Sequence, residues 1–299
     1  MNVVNYEPGF AEGICELYNR TIEPVVHCHP VDTRRFGDFL GPLVEGQDKG
    51  PHDMRTQCAF VAVEGQRVVG FVHAGILVDK AEQVKGGGIR FLTYEPRTRS
   101  AGLMLLDRVE IWFKEFGIAS VVAFHQDHRL PFYHYAPGYL SDRIGHVQAL
   151  FASRGYAKCA GEVFLDDTHF EPRDPEPIDL AVEVTSEERP DRGKLPGLKH
   201  LAWIDGKEVG HCTIISSVED QRSPAVEDRA FVDGLYVYDP WQGKGIGKYL
   251  LQRALNDAYA LEFRRAGIST AWDNHRAFVF YSKFGFSVSD WTYGWGKNL

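Results

Sequence analysis

Three glycines set among polar and cationic residues, Gln242-Gly243-Lys244-Gly245-Ile246-Gly247-Lys248, stand between an aromatic and β-branched run ending Leu235-Tyr236-Val237 and a helical pattern that begins within Gly245 to Leu250. Glycine lets a strand-to-helix turn fold tightly enough to aim several backbone N–H groups at one point, where the positive end of the following helix adds to their field. Such a nest suits a pyrophosphate. Its spacing is neither GxxxxGK[ST] nor GxGxxG, and taken alone it also reads as a plain tight connection. Further on, Asn274, His275, Arg276 and Ala277 precede Tyr281, Gly285 and Phe286. A phenol is a weak acid, able to give up a proton to a negative charge that forms beside it. Asp233 precedes Leu235 by two residues, so strand alternation sets it on the face of Leu235 and Val237, where a carboxylate can take a proton directly or through a water.

These two segments, in this order, resemble the GCN5-related N-acetyltransferase (GNAT) family. Its acyl-CoA motif, [QR]-x-x-G-x-[GA] after a strand ending LYV, is matched by Gln242, Gly245 and Gly247 after Leu235-Tyr236-Val237, and Asn274 to Phe286 matches a second family motif. The resemblance covers most of Lys199 to Leu299 well and the first half only weakly. It implies an α/β fold with a mixed sheet, acetyl-CoA as co-substrate, and direct attack of a primary amine on the thioester. Backbone groups of Leu235, Tyr236 and Val237 would pair with the pantetheine arm, Gln242 and the N–H groups from Gly243, Lys244, Gly245, Ile246, Gly247 and Lys248 would hold the pyrophosphate, and Asn274 would hydrogen-bond the arm. Tyr281 would protonate the departing thiolate; its other reading is a core aromatic at a helix end. Asp233 is the candidate base; its other reading is a structural acid near a bulge. No cysteine is placed to suggest an acyl-enzyme. The alternatives are a non-catalytic acyl-CoA-binding module and an acyltransferase for longer acyl groups.

The elements that position these residues occur twice. Cys58 to Val63 and Val68 to Ile76 read as a hairpin turning at Glu64-Gly65; His200 to Ile204 and Val209 to Ile215 do the same at Asp205-Gly206. A strand follows in each half, then a loop, then a helix expected to stop near Gly117-Ile118 or Gly267-Ile268. The repeat predicts two tandem GNAT folds, a degenerate one over 1–165 and a catalytic one over 180–299, joined by a stiff, solvated connector over 166–179 rich in proline and acid. This tandem plan also resembles mycothiol synthase, although no acceptor residue points to that substrate. Only the first half has helical spacing at its front, from Pro8 to Leu43, and an insertion from His125 to Arg143, a candidate cover for the active cleft.

Aligned without a gap, Arg97-Thr98-Arg99-Ser100-Ala101-Gly102 stands opposite the glycine loop, Gly88 opposite Asp233 and Phe151 opposite Tyr281, with no counterpart of Asn274. The first half is therefore expected to have lost catalysis. Arg97, Arg99 and Gly102 leave weak CoA binding open.

With 44% hydrophobic and 25% charged residues over 299 positions, the chain is globular, which excludes disorder, collagen and coiled coil. It shows no signal peptide and no bilayer-length apolar run, and five scattered cysteines suit reduced thiols in a cytoplasm. The net charge of −8 divides as −2 up to Leu165 and −6 beyond, with no basic stripe for a nucleic acid. An acidic second half favours a cationic amine, small molecule or peptide, and Glu227 and Asp228 are acids on a loop that such a partner could meet. No metal is expected: His125-x-Asp127-His128 and His27-Cys28-His29 read as solvated or packed histidines. Trp291, Tyr293 and Trp295 alternate as a final strand would, and the chain is read as a monomer or homodimer.

Overall fold

The computed structural model describes residues 1–44, 54–79, 81–128, 130–136, 138–167, 169–221 and 223–299. They form two compact units, Met1–Glu162 with Asp290–Leu299, and Val163–Ser289. Among the described residues no helix is long and apolar enough to cross a membrane.

The first unit runs β1 (Asn2–Asn5), α1 (Ala11–Ile22), α2 (Thr33–Val44), β2 (Met54–Glu64), β3 (Arg67–Val78), β4 (Val84–Tyr94), α3 (Arg99–Glu115), β5 (Ser120–Ala123), β6 (Leu140–Ser141), α4 (Gly145–Ser153) and the start of β7 (Ala157–Asp167). Strands β1 to β4 are antiparallel neighbours, and β4 and β5 run parallel. The β2–β3 hairpin turns at Gly65, whose φ of 65° is left-handed and costs glycine nothing. Helix α1 buries Ile14, Leu17, Tyr18 and Ile22, spaced three and four apart, so one face meets the sheet. Helix α3 adds Leu105, Leu106, Val109 and Phe113.

The insertion after His125 is packed into this core: Phe132, Tyr133 and Tyr135 are buried, the Tyr18 hydroxyl donates to the Phe132 carbonyl at 3.3 Å, and the Ser141 N–H donates to the Tyr133 hydroxyl at 2.9 Å. Its aromatic side chains are thus committed to the core of their own unit.

The second unit completes β7 and continues with β8 (Glu183–Arg189), β9 (Gly197–Ile204), β10 (Lys207–Ser216), α5 (Val218–Gln221), β11 (Arg229–Val237), α6 (Ile246–Ala260), β12 (Arg265–Ala271), α7 (His275–Phe284) and the start of β13 (Phe286–Asn298). Strands β8 to β11 are antiparallel neighbours and β11–β12 is parallel. Asp205 and Gly206 both take positive φ, 49° and 72°, as a two-residue hairpin turn requires. The end of β13 belongs to the first unit, where Trp295–Asn298 pair antiparallel with Ser120–Ala123.

One expectation is corrected in the second unit and another is extended. Helix α6 ends at Ala260, not near Gly267. Glu262 takes the left-handed stop position at φ 73°, its N–H donating to the Tyr259 carbonyl and that of Phe263 to Ala258, and Gly267 lies within β12. The acid- and proline-rich segment is mostly exposed, as expected, and is also docked through its backbone. The Arg173 N–H donates to Asn256 Oδ1 and the Asn256 amide to the Arg173 carbonyl, at 3.0 and 2.7 Å, while the Glu176 N–H donates to Gln252 Oε1 at 2.9 Å.

Each unit carries a β-bulge at the same place. In the second, Thr213 faces Gly234 and Ile214 faces Val232, leaving Asp233 as the extra residue. In the first, His73 faces Phe91 and Ala74 faces Ile89, leaving Arg90. The parallel pairings stop at Val232 and Ile89, immediately before each bulge. Register therefore sets Arg90, not Gly88, opposite Asp233. The strand-to-helix turn of the first unit is two residues shorter, Tyr94 to Gly102 against Val237 to Gly247. A linear count without gaps cannot register that deletion.

Asp290, on β13 in the first unit, is buried and accepts a hydrogen bond from Ser141 Oγ at 3.0 Å. Burial pushes its carboxyl up to about 7, with Asp142 adding to the shift. The folded chain thus holds this proton more tightly than the unfolded chain, whose aspartates titrate near about 3.9. The stabilisation is complete below that value and lost as pH rises through about 7. Asp290→Asn should therefore gain melting temperature relative to wild type as pH goes from about 5 to 8. A difference constant across that range in thermal melts contradicts the assignment.

Candidate active site

Strands β11 and β12 pair only from Arg229 to Val232 and from Arg265 to Ile268. Beyond the bulge, β11 keeps its ladder with β10, from Gly234–Thr213 to Val237–Gly210, and its other edge opens onto a cleft of about 600 Å³. Leu235, Tyr236, Val237, Gln242, Gly243, Gly245, Gly247, Lys248, Asn274 and Tyr281 all line that cleft. Trp241, Arg276, Ala277 and Phe280 join them, and the sequence reading had missed these four. Arg276 and Ala277 lay inside the second motif, so their helical register alone could have flagged them.

The turn between β11 and α6 is held by its own side chains. Gln242 Nε2 donates to the Val237 carbonyl and to Asp239 Oδ1, both at 2.9 Å, and Arg276 reaches Gln242 Oε1 at 3.5 Å. Gly243 and Gly245 take φ of 77° and 85°, a region that costs other L-residues roughly 1–2 kcal/mol. Gly245 is the N-cap of α6, so the first free N–H groups of that helix follow it directly. A Cβ on Gly247 would lie 3.5 Å from Val237 Cγ2, an ordinary contact. Ile246 is buried beneath the helix, the Lys244 ammonium sits 4.7 Å over the Trp241 ring, and Lys248 pairs with Glu176. Ile246 and Lys244 line no part of the cleft by side chain; only their backbone is placed in the turn.

Asn274 caps α7, its Oδ1 accepting from the Ala277 N–H at 3.2 Å. Tyr281 is 8% exposed on the cleft wall, with ring centres 5.3 Å from Phe280 and 6.2 Å from Phe286. It is at once a packed aromatic and a cleft residue. The left-handed Gly285 at φ 107° closes the helix behind it.

Asp233 is not among the cleft residues. The bulge interrupts the alternation used to set it on the face of Leu235 and Val237, so that step of the sequence argument does not hold. Its side chain is reachable by solvent, yet the protein around it pushes the carboxyl above the ordinary range, with Arg189 pulling the other way. Glu227 pairs with Lys194 at 2.6 Å and Asp228 with Arg265. Both acids offered as contacts for a cationic partner are therefore already answered. His125 and Asp127 approach to 3.6 Å, and the described residues hold no group of three or more His, Cys, Asp or Glu able to grip a metal.

Residues 163–286 match the model of the acetyltransferase (GNAT) family. A comparison with curated protein sequences gave no match. Among solved structures, the chain is similar to a tandem GNAT protein from the clavulanic acid biosynthesis pathway, at 18% identity and a TM-score of 0.64 over 99% of this chain and 98% of that one. It is also similar to a GCN5-related N-acetyltransferase from Sphaerobacter thermophilus, at 16% identity and a TM-score of 0.63 over 99% and 95% of the two chains. The family match thus lies in the second unit, and the fold of these tandem and GCN5-related proteins is shared along the whole length of the chain.

Proposed function

We propose that the chain is an acetyl-CoA-dependent N-acetyltransferase that acylates a primary amine in its second unit. The observation that carries this reading is the open edge of Leu235–Val237 meeting the left-handed glycine turn in one cleft. An open strand edge offers a ladder to an extended, amide-bearing chain such as pantetheine, and the turn offers N–H groups and a helix N-terminus to a pyrophosphate. The two features adjoin along the chain, as a ligand with both parts requires.

Acetyl-CoA supplies an activated acyl group. The chain positions it, and the edge N–H groups of β11 are the donors available to a carbonyl that gains negative charge. Tyr281 gives its proton to the leaving sulfur, since the residue lines the same cleft. Asp233 takes a proton from the incoming ammonium through an intervening water, because it stands beside the cleft rather than in its lining. The acceptor is a cationic small molecule or peptide amine, favoured by the acidic second half, and a cytoplasmic location accords with the reduced cysteines.

Asp233→Asn tests the base. Its kcat/KM should fall on the order of 10²-fold near neutral pH, with the deficit shrinking as alkaline pH deprotonates the amine without help. The acidic limb of the wild-type profile should lie above the ordinary carboxylate range, because the surrounding protein partly desolvates this group. A variant with the wild-type rate and pH profile makes Asp233 a structural residue of the bulge.

A further inference from the structure

Strands β3 and β4 of the first unit bring together two buried polar groups that their surroundings answer only in part. Arg90 is 2% exposed. One Nη donates to the Met54 sulfur at 3.4 Å and the guanidinium lies 5.3 Å from the centre of the Phe39 ring. Its Nε has no partner, and no carboxylate among the described residues pairs with it. Burial brings its pKa down to about 10, which still leaves a full positive charge at neutral pH.

His73, on the neighbouring strand and also packed against Phe39, is 1% exposed. Its Nε2 shares a hydrogen bond with Gln57 Oε1 at 3.0 Å, and its Nδ1 has no partner. Burial, together with the charge of Arg90, holds the imidazole neutral.

A buried cation without a counter-charge is among the costliest things a fold can contain, and an apolar side chain of similar volume would remove the cost. The place of this one is informative. Arg90 is the extra residue of its bulge, and at the equivalent bulge the second unit carries Asp233. The same fold position thus holds a carboxylate in one unit and a guanidinium in the other.

We propose that the first unit binds a carboxylic acid with an apolar body, its carboxylate seated on Arg90 beside His73. One cation next to a neutral imidazole balances one negative charge and leaves a phosphate dianion under-neutralised. The planar guanidinium suits a planar carboxylate, and the Nε now without a partner is one of the two parallel donors such a pair uses. Phe39 and Met54 are the apolar side chains against the guanidinium. The first unit is then not merely a spent copy of the second: its ligand preference is inverted in charge, from an amine to an acid. This assignment stands apart from the acyl-CoA reading, which concerns the other unit.

Thermal melts of the full-length chain in acetate, butyrate and benzoate, against chloride at equal ionic strength, test it. Wild type should show a saturable rise in melting temperature with butyrate or benzoate and none with chloride. Arg90→Met should melt higher than wild type without ligand and lose the response, and His73→Phe should weaken it. If Arg90→Met does not fold, the arginine Nε–H resonances of wild type serve instead, and one strongly protected signal should move as the acid is added. The absence of a saturable response to all three acids in wild type overturns the proposal, as does an equal response in folded Arg90→Met.

Discussion

Tyr281→Phe is expected to lower kcat by about 10²–10⁴-fold while leaving acetyl-CoA affinity unchanged. The substitution removes one oxygen and keeps the ring, so the packing against Phe280 and Phe286 that holds α7 in place is retained. What is lost is a proton donor on the cleft wall, needed only as sulfur takes up negative charge. Such a loss falls on kcat rather than on ground-state binding. Rate measurements with acetyl-CoA and an amine panel, paired with calorimetric binding, separate the two quantities. Unchanged kcat makes the phenol a packing residue. If neither wild type nor variant turns over any amine while both bind acetyl-CoA, the non-catalytic module is the correct reading.

Gly245→Leu should be the most damaging single change for acetyl-CoA binding. Gly245 sits at φ 85°, and a Cβ there would lie 3.0 Å from Ile178 Cγ2, so the side chain meets both backbone strain and a neighbour. The turn can relieve them only by rotating peptide groups that now face the cleft. Losing two N–H contacts to a charged ligand, each worth about 1.5–3 kcal/mol, corresponds to a fall of about 10²–10⁴ in affinity. Gly247→Ala is the matching control. Its Cβ would make only an ordinary contact at 3.5 Å, so binding should survive. Equal binding by wild type and Gly245→Leu would remove the glycine turn from the ligand site.

The parts of this architecture written in local chemistry were legible before any coordinates. Glu64-Gly65 and Asp205-Gly206 name their hairpins because few residues tolerate positive φ, and the strand–glycine–helix segment from Leu235 to Lys248 carries its geometry in its composition. The parts that depend on pairing were not. Whether Asp233 continues the alternation or bulges out depends on the register of β10 against β11, and nothing within β11 itself specifies it. The same gap misaligned Arg90, because a two-residue shorter turn is invisible to a count without gaps.

Side-chain satisfaction was equally hidden. Arg173 and Glu176 lie in an exposed acidic connector, and nothing within it marks that Asn256 and Gln252 bond their backbone. Asn274, assigned to the cofactor by family resemblance, also has the signature of an N-cap three residues before Ala277. Glu262 escaped because a glutamate in the left-handed region at a helix end has no sequence mark, whereas Gly117 does.

The most direct test of the second unit as the acyl-CoA site is calorimetric titration of the full-length chain with acetyl-CoA, read for stoichiometry and repeated on Gly245→Leu. One site per chain, lost in the variant, is the predicted result. No binding, or a site that survives in the variant, contradicts it.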